Sequence, residues 1–476
     1  MPNKTICAPL LLFTVLLSAC GALGTPAETP DTTPDQAANL SKTPNIVLIL
    51  SDDQRVDDIA NMDNLLALAA EGATFSNAYV TTPLCCVSRS SILTGEYAHN
   101  HGVLGNMAPY GFKAFEDGET VATWLHTAGY KTALIGKYLN GYDKTKGEYI
   151  PTGWDTFQTF VKGPAYYKYT IESFVDGVDN GILKYESNED DYSTEVLTQN
   201  ALAFINSTED DDSQPFFLFF TPYAPHDPAT PPEKYMNEPA NFDPTVVPSY
   251  NEEDVSDKSA WVKGLTPLSA EDQENLKGFG SLTAGTLKDL DNGIGKILDT
   301  LKANGEMENT VIIYMSDNGI QWGEHRIVLT KNAPYEESVH VPLIVYDGRA
   351  KEGGGEIAEP ALNIDLAPSI LEWAGLTLPS SIDGKSLISL IEGVSDGWRT
   401  SFLTEGWKSP EGVAFTSIHD GNFVYIDFGA GEVELYNLVA DPYQLENLAG
   451  DGAYAEEIKK LQDELMRLKA CKGAEC

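Results

Sequence analysis

The chain has 476 residues, of which 42% are hydrophobic and 21% are charged. This balance predicts a soluble globular protein with a sizeable core, and it excludes a disordered chain. Its 31 basic residues against 71 acidic ones give a formal net charge of −40, which argues against a nucleic-acid partner because nucleic-acid binding needs a basic surface.

The N-terminus has the features of a targeting segment. Lys4 precedes the apolar run PLLLFTVLLSA at residues 9–19, which is too short to span a membrane. The run ends in LSAC at residues 17–20, which resembles the lipobox of bacterial lipoproteins. That resemblance implies a signal peptide at 1–19 and a lipidated Cys20 that anchors an exported protein to the bacterial cell envelope, facing the periplasm or the cell surface. An ordinary cleaved signal peptide is the alternative.

Buried strands that end in polar residues recur along the chain after a predicted flexible tether at residues 20–43. The sequences NIVLILSDDQ, PFFLFFTPYAPHDP and TVIIYMSDNG, at residues 45–54, 215–228 and 310–319, are apolar runs of this kind. Helical stretches such as residues 196–206 and 281–303 alternate with them, which predicts an α/β fold with a largely parallel sheet. Ligands in such sheets bind beyond the carboxyl ends of the strands.

The kind of predicted secondary structure changes after about residue 375. FVYIDFGAGEVELYNL at residues 423–438 predicts antiparallel strands, and AYAEEIKKLQDELMRLKA at 453–470 predicts an amphipathic closing helix. We therefore expect a catalytic domain at 44–375 and a smaller α+β subdomain at 376–476.

Two pairs of cysteines remain beyond the signal peptide and Cys20. Cys471 and Cys476, in CKGAEC, are spaced to close a small disulfide outside the cytosol. Cys85 and Cys86 are adjacent and have no evident structural partner.

Acidic and amide side chains follow two of the buried strands. Asp52 and Asp53 end the first, and Asp317 and Asn318 end the last. Three converging carboxylates repel one another unless a cation lies between them, and an all-oxygen set suits Ca²⁺ or Mg²⁺. The alternative is that each pair is only a polar strand end or turn.

The sequence around the paired cysteines resembles a family signature. Cys85-Cys86-Val87-Ser88-Arg89, followed by LTG at residues 93–95, is similar to the Cys-x-Pro-x-Arg motif of type I sulfatases, in the alkaline-phosphatase superfamily. GKYLNGY, GEYAHNHGV and the final C-x-G-x-x-C look most like the N-acetylglucosamine-6-sulfatase branch. The resemblance implies a large mixed, mainly parallel sheet flanked by helices, and hydrolysis of sulfate esters of a sulfated carbohydrate.

The resemblance also implies cofactors and a partner. A maturase converts the first cysteine, here Cys85, to formylglycine, whose hydrated aldehyde attacks sulfur. A divalent ion, Ca²⁺ with Mg²⁺ as the alternative, is held by the converging oxygens and the modified residue. The implied metal ligands are Asp52, Asp53, Asp317, Asn318 and Cys85.

The same resemblance assigns roles to the remaining site residues. Arg89 holds the nucleophile and the metal-site carboxylates, Lys137 and Lys331 grip the sulfate, and His226 protonates the leaving oxygen. His101 assists deprotonation of the nucleophile or contacts substrate. A helix that starts near Ser88 directs its N-terminus at the anion.

Two positions depart from the family pattern. Val87 stands where the family has proline, which puts conversion of Cys85 in doubt, and Asn140 stands where many members have histidine. Two alternatives therefore stay open: a phosphonate or phosphodiester hydrolase of the same superfamily, and an inactive lipoprotein that binds sulfated glycans.

Overall fold

The computed structural model describes residues 43–209, 214–350, 355–410 and 412–476. The predicted signal peptide, Cys20 and all but the last residue of the predicted tether lie outside these ranges. Within them, no helix is both long enough and apolar enough to cross a membrane.

Sixteen strands occur in the described part of the chain and form three sheets. They are β1 (Asn45–Ser51), β2 (Ala73–Phe75), β3 (Ala78–Tyr79), β4 (Lys131–Gly136), β5 (Thr156–Phe160), β6 (Thr170–Val175), β7 (Val178–Lys184), β8 (Phe216–Thr221), β9 (Thr310–Ser316), β10 (Leu343–Asp347), β11 (Gly355–Ile357), β12 (Ala361–Leu362), β13 (Phe402–Gly406), β14 (Phe415–His419), β15 (Phe423–Gly429) and β16 (Glu432–Asn437).

The α-helices of the described residues are of very different lengths. They are α1 (Asp63–Glu71), α2 (Cys85–Thr94), α3 (Ala98–His101), α4 (Val121–Thr127), α5 (Ser193–Thr208), α6 (Ala260–Lys263), α7 (Ala270–Asn304), α8 (Glu336–Val339), α9 (Leu366–Trp373), α10 (Ile388–Ile391) and α11 (Ala455–Leu468).

The largest sheet has ten strands in the order β11-β2-β10-β9-β1-β8-β4-β5-β6-β7. Its central strands, from β9 to β5, are parallel, and antiparallel pairs extend it on both sides. The predicted large mixed, mainly parallel sheet is therefore confirmed. Its parallel centre brings the carboxyl ends of five strands to one edge, which positions the site described below.

Helices cover both faces of this sheet, which explains why the central strands are apolar throughout. Successive residues of a strand point to opposite faces. Ile46, Leu48 and Leu50 of β1 pack with α2, α4 and α9, whereas Val47 and Ile49 pack with α1, α5 and α7. Every residue of β1, β8 and β9 is buried.

The C-terminal part contains the predicted antiparallel strands and closing helix. Strands β13 to β16 form a four-stranded antiparallel sheet, and α11 packs on it through Leu461, Leu465 and Leu468. The division of the chain between residues 375 and 376 stays a prediction.

The predicted disulfide between Cys471 and Cys476 is present. The Cys471 carbonyl accepts hydrogen bonds from the side chains of His99, at 3.2 Å, and Asn100, at 3.0 Å. Both residues lie in α3, just after the helix that carries Cys85. The C-terminal loop therefore braces the segment that follows this helix.

The Glu336 side chain, in α8, is 19% exposed, and its carboxyl group pairs with no lysine or arginine among the described residues. Its Oε2 accepts a hydrogen bond from the Tyr79 hydroxyl at 3.1 Å, and its Oε1 has no hydrogen-bond partner among the described residues. His419 Nδ1 lies 3.7 Å from Oε1, but burial lowers the pKa of His419 to about 3, so the ring is neutral. Burial raises the pKa of Glu336 from 4.5 to about 8.

We expect Glu336→Gln to remove a pH-dependent contribution to stability. Because the folded pKa exceeds the unfolded one, the folded state holds this proton more tightly. The contribution is complete below pH 4.5 and is lost as pH rises through 8, at no more than about 1.4 kcal/mol per pH unit. Urea denaturation of both proteins at pH 5, 7 and 9 measures this contribution. We expect the unfolding free energy of the wild type, relative to that of Glu336→Gln, to fall as the pH rises. A difference that is constant across these pH values contradicts the assignment.

Candidate active site

The carboxyl ends of three central strands supply charged side chains to one point. Asp52 and Asp53 follow β1, Asp317 and Asn318 follow β9, and Lys137 follows β4. The Asp53 backbone turns into the left-handed region, with φ 65°, and its amide donates to Asp317 Oδ1 at 3.1 Å. The two acidic pairs predicted from the strand ends are therefore brought together.

Lys137 is positioned by a close approach of two strands. Gly136 has φ 129°, and a Cβ there would lie 2.0 Å from the Thr221 carbonyl oxygen of β8. Only glycine fits this approach. The Lys137 amide then donates to the same carbonyl at 2.7 Å, which directs the lysine side chain towards the strand ends.

The helix that carries Cys85 begins at that residue, three positions earlier than the predicted start near Ser88. Asn106 explains the earlier start, because its side-chain oxygen accepts the free Cys86 amide at 3.0 Å. The Ser88 amide already makes a helical bond to the Leu84 carbonyl. Cys85 is therefore the first helical residue, and its side chain faces the acidic cluster.

Three cations neutralise the three carboxylates of the cluster. Lys137 Nζ lies 2.5 Å from Asp52 Oδ2, and Arg89 Nε donates to Asp317 Oδ2 at 2.7 Å. Lys331 Nζ lies 2.7 and 2.8 Å from the two oxygens of Asp53. Paired and hydrogen-bonded charges of this kind are the form in which buried ions are tolerated.

The pKa values of the cluster follow from this pairing. Burial alone would raise the pKa of Asp52, but Lys137, His226 and Arg89 outweigh it, and the pKa is lowered. The pKa of Asp53 is lowered in the same way, against its burial, by His226 and Lys331. Both groups are therefore carboxylates at neutral pH, available as ligands for a cation.

The Cys85 thiol lies at the centre of the cluster. Its Sγ is 2.8 Å from Lys331 Nζ and 3.6 and 3.7 Å from Asp52 Oδ1 and Asp53 Oδ1. Burial raises its pKa, with Lys137 and Lys331 opposing the shift only partly. An unmodified Cys85 is therefore a protonated thiol and a poor nucleophile.

The second cysteine and the valine after it belong to the core. Cys86 Sγ lies 3.7 Å from the Asn140 carbonyl, and burial raises its pKa to about 12. Val87 is fully buried in the apolar layer beneath the helix. Both side chains therefore have a packing role.

His226 approaches the cluster with one nitrogen free to exchange a proton. Its Nδ1 lies 2.6 Å from the Asp227 carbonyl, which can only accept, so Nδ1 carries the proton. Nε2 lies 3.1 Å from Lys331 Nζ and accepts from it. Burial lowers the pKa of His226, although Asp53 opposes the shift.

The residues present fit a divalent cation. One ligand atom from each of Asp52, Asp53, Cys85 and His226 lies within 4.8 Å of the others. The amide nitrogen of Asn318 donates to Asp53 at 2.6 Å, while its buried oxygen has no partner among the described residues. This amide oxygen and the neighbouring carboxylate oxygens together form the kind of donor set that a hard divalent ion prefers.

Two histidines near the motifs have other contacts. His101 Nε2 lies 3.0 Å from the Ser91 hydroxyl, and its Nδ1 accepts the Val103 amide at 3.1 Å. His325 is fully buried and pairs with Glu252 at 2.7 Å. The structure therefore does not bring His101 to the cluster, and we assign it no part in the chemistry proposed below.

Three residues that support the site were not predicted from the sequence. Asn106 caps the helix that carries Cys85, Tyr223 stacks on His226 with ring centroids 4.6 Å apart, and the Tyr166 hydroxyl donates to the His226 carbonyl at 3.0 Å. Tyr223 lies in the stretch that contains His226, which is a usable signal. No local pattern marks Asn106 or Tyr166.

Comparisons with known proteins bear on the same residues. A family model described as Sulfatase matches residues 44–376, and one described as N-sulphoglucosamine sulphohydrolase, C-terminal, matches residues 323–471. The chain is 31% identical to human N-acetylglucosamine-6-sulfatase over 518 residues, which covers 99% of this chain and 90% of the relative.

Two further matches extend the comparison. An extracellular sulfatase SULF-1 homolog of Drosophila melanogaster is 33% identical over 383 residues, covering 78% of this chain but 34% of the relative, so this chain spans about a third of that protein. A solved structure of a protein in complex with its substrate D-glucosamine-2-N,6-O-disulfate is 25% identical, with a TM-score of 0.73. That match covers 89% of this chain and 97% of the other.

Proposed function

The chain belongs to the sulfatase family, and on that premise we propose that it hydrolyses the sulfate ester of a sulfated carbohydrate, using a formylglycine made from Cys85 and a bound Ca²⁺ ion. The observation that carries the proposal is the meeting of Cys85 with three carboxylates and three cations at one edge of the sheet. Relatives whose names specify sulfated glucosamine derivatives support the carbohydrate substrate.

Asp52, Asp53, Asp317 and Asn318 would hold the metal. When bound, the metal supplies positive charge that polarises a sulfate oxygen, and the formylglycine supplies the oxygen that attacks sulfur. Magnesium is the alternative ion, because the donor set is all oxygen apart from residue 85.

The two lysines bind the anion in this proposal. In the structure they pair with Asp52 and Asp53, at 2.5 and 2.7 Å. With a divalent cation on those carboxylates, both ammonium groups would be free to bind sulfate oxygens. Arg89 stays on Asp317 and on the Lys137 carbonyl, and so keeps the helix of Cys85 fixed against the strand ends.

His226 delivers the proton to the leaving alcohol. In the structure His226 Nε2 lies 3.1 Å from Lys331 Nζ, which places this nitrogen beside the proposed sulfate site. Tyr223, stacked on the ring, and the Asp227 carbonyl fix the orientation of the imidazole. With a proton at Nε2, the imidazolium donates that proton to the departing oxygen and returns to the neutral ring.

The direct test is turnover on two classes of ester. We expect purified protein from a host with a formylglycine-forming maturase to release sulfate from N-acetylglucosamine 6-sulfate. We expect a phosphodiester and a phosphonate monoester to react more slowly. Preference for a phosphorus ester identifies a hydrolase of the other kind, and binding of sulfated sugars without turnover identifies an inactive glycan-binding protein.

Metal removal is expected to lower stability as well as activity. A ligand at 100 times its Kd stabilises the folded state by about 3 kcal/mol. Thermal unfolding after chelation, and after addition of Ca²⁺ or Mg²⁺, measures this, and the larger shift identifies the preferred ion. We expect Asn318→Ala to reduce the shift. Because this variant also loses the hydrogen bond to Asp53, the shift is compared with and without the ion within each protein. Melting that is indifferent to both ions contradicts a metal at this site.

We also propose that the protein is exported and lipid-anchored through Cys20, and that its maturase acts on Cys85. The LSAC sequence at residues 17–20 supports the anchor, and the disulfide between Cys471 and Cys476 suits an oxidising compartment. Recovery in the membrane fraction, lost in Cys20→Ala, tests the anchor. Soluble wild-type protein contradicts it.

A further inference from the structure

A cleft of about 530 Å³ opens beside the proposed sulfate site. The loop after β4 and the turn after β5 form it, and its lining includes Lys137, Asn140, Lys146 and Lys162. Lys137 belongs to both places, because its Nζ contacts Asp52 while its side chain forms part of the cleft wall. A volume of this size is ordinary for a small-molecule site.

The cleft is basic, in contrast to three other cavities lined by described residues. Three lysines and one carboxylate, Asp143, line it. Three other cavities, of about 530, 740 and 240 Å³ and lined by described residues, each have more acidic than basic side chains. In a chain with a net charge of −40, a locally positive concavity concentrates anions at that one place.

Two of the lysines at the cleft are available to a ligand. Lys162 is exposed in a left-handed turn, with φ 68°, and no carboxylate among the described residues pairs with it. The Lys146 side chain is 75% exposed, and its 3.3 Å contact with Asp143 is the weak kind that a ligand displaces. The Lys137 side chain is 5% exposed and lies at the inner end of the cleft, in contact with Asp52.

We infer that this cleft binds the sugar that leaves, and that Lys162 and Lys146 recognise a second anionic group on it, either a sulfate or a carboxylate. The inference rests on the proposed function, because the scissile sulfate must lie at Lys137. A sugar unit then extends from Lys137 past Asn140, and its second anion reaches the two outer ammonium groups. The preferred substrate carries at least two negative charges.

Two substrates with the same scissile ester test the inference. Glucosamine 2-N,6-O-disulfate carries a second anion, and N-acetylglucosamine 6-sulfate does not. We expect wild-type kcat/KM to favour the disulfate, and the ratio of the two values to fall about 3- to 10-fold in Lys146→Gln/Lys162→Gln, mainly through KM. Lys459→Gln, a 72% exposed lysine on α11, is the matched control and leaves the ratio unchanged.

Binding to Cys85→Ala protein separates this inference from the proposed function. Calorimetry with the disulfate measures Kd without turnover, and we expect the lysine double variant to weaken it by a similar factor. If the lysine double variant binds the disulfate more weakly but protein with Cys85 intact hydrolyses neither sugar, the cleft is supported and the enzyme activity is overturned. Hydrolysis of both sugars with an unchanged ratio overturns the cleft and leaves the activity intact. An equal loss of affinity in Lys459→Gln also overturns the cleft, since the effect then comes from the overall charge of the protein.

Discussion

Cys85→Ala is expected to lower kcat/KM for sulfate esters by about 10⁴-fold or more, because it removes the only precursor of the nucleophile. The Cys85 side chain is fully buried and touches Lys331, Asp52 and Asp53. The substitution deletes one sulfur atom from a packed site, so the cost to folding is small, on the order of 1 kcal/mol. Steady-state kinetics on N-acetylglucosamine 6-sulfate, with circular dichroism to check the fold, measures both effects.

Cys86→Ala is the matched control for that experiment. The two thiols are adjacent, equally buried and in the same helix, but Cys86 contacts the Asn140 carbonyl instead of the charged cluster. We expect the control to lose similar stability and to keep activity within about threefold of the wild type. Comparable losses of activity in both variants would mean that packing of the helix, not chemistry at residue 85, limits turnover.

Arg89→Met is expected to destabilise the protein by about 3–5 kcal/mol, because it leaves buried carboxylates without one of their three cations. The Arg89 side chain is 1% exposed and contacts Asp317 at 2.7 Å, Asp52 at 3.6 Å and the Lys137 carbonyl at 2.8 Å. Urea denaturation measures the loss. Saturating Ca²⁺ restores part of it, since the ion brings compensating charge to the same carboxylates. A loss below about 1 kcal/mol contradicts this description of the cluster.

Arg399→Met distinguishes the effect on activity from the effect on stability. Arg399 and Asp365 form a second buried ion pair, in which the Arg399 side chain is 7% exposed and that of Asp365 is fully buried. We expect a comparable loss of stability with kcat retained in the folded fraction. Arg89→Met loses both, because it also releases the helix of Cys85 from Asp317.

The strand ends of the site were predictable, and the residues that brace it were not. Asp52, Asp53, Asp317 and Asn318 each follow an apolar run, and the rule that parallel strands gather ligands at their carboxyl ends places them together. Asn106 caps a helix 20 positions earlier in the chain, through a contact that no local pattern records.

Histidines near a motif illustrate a second limit. His101 and His226 both lie in stretches that resemble the family, and only their contacts separate them. His226 reaches Lys331, whereas both ring nitrogens of His101 are taken by Ser91 and Val103. A position close to a motif in the sequence brings a residue near the site, but it does not determine which groups its side chain contacts.

The fold shows the same division. The core strands and the hairpin at 423–438 were predictable from apolar runs and a turn, while α7 starts at Ala270, well before the predicted helical stretch at 281–303. Its first turns are mainly polar and exposed, so hydrophobic periodicity does not reveal them. The Ser269 hydroxyl accepts the Asp272 amide at 3.1 Å and caps the longer helix.

Mass spectrometry of the peptide across residues 83–95, from protein made in its native host, determines whether Cys85 is the precursor of the nucleophile. We expect an aldehyde at Cys85 and an unmodified Cys86, with Val87 tolerated in place of the family's proline. An unmodified thiol at Cys85 in protein that hydrolyses sulfate esters would contradict this expectation, because that thiol is buried, protonated and poorly nucleophilic.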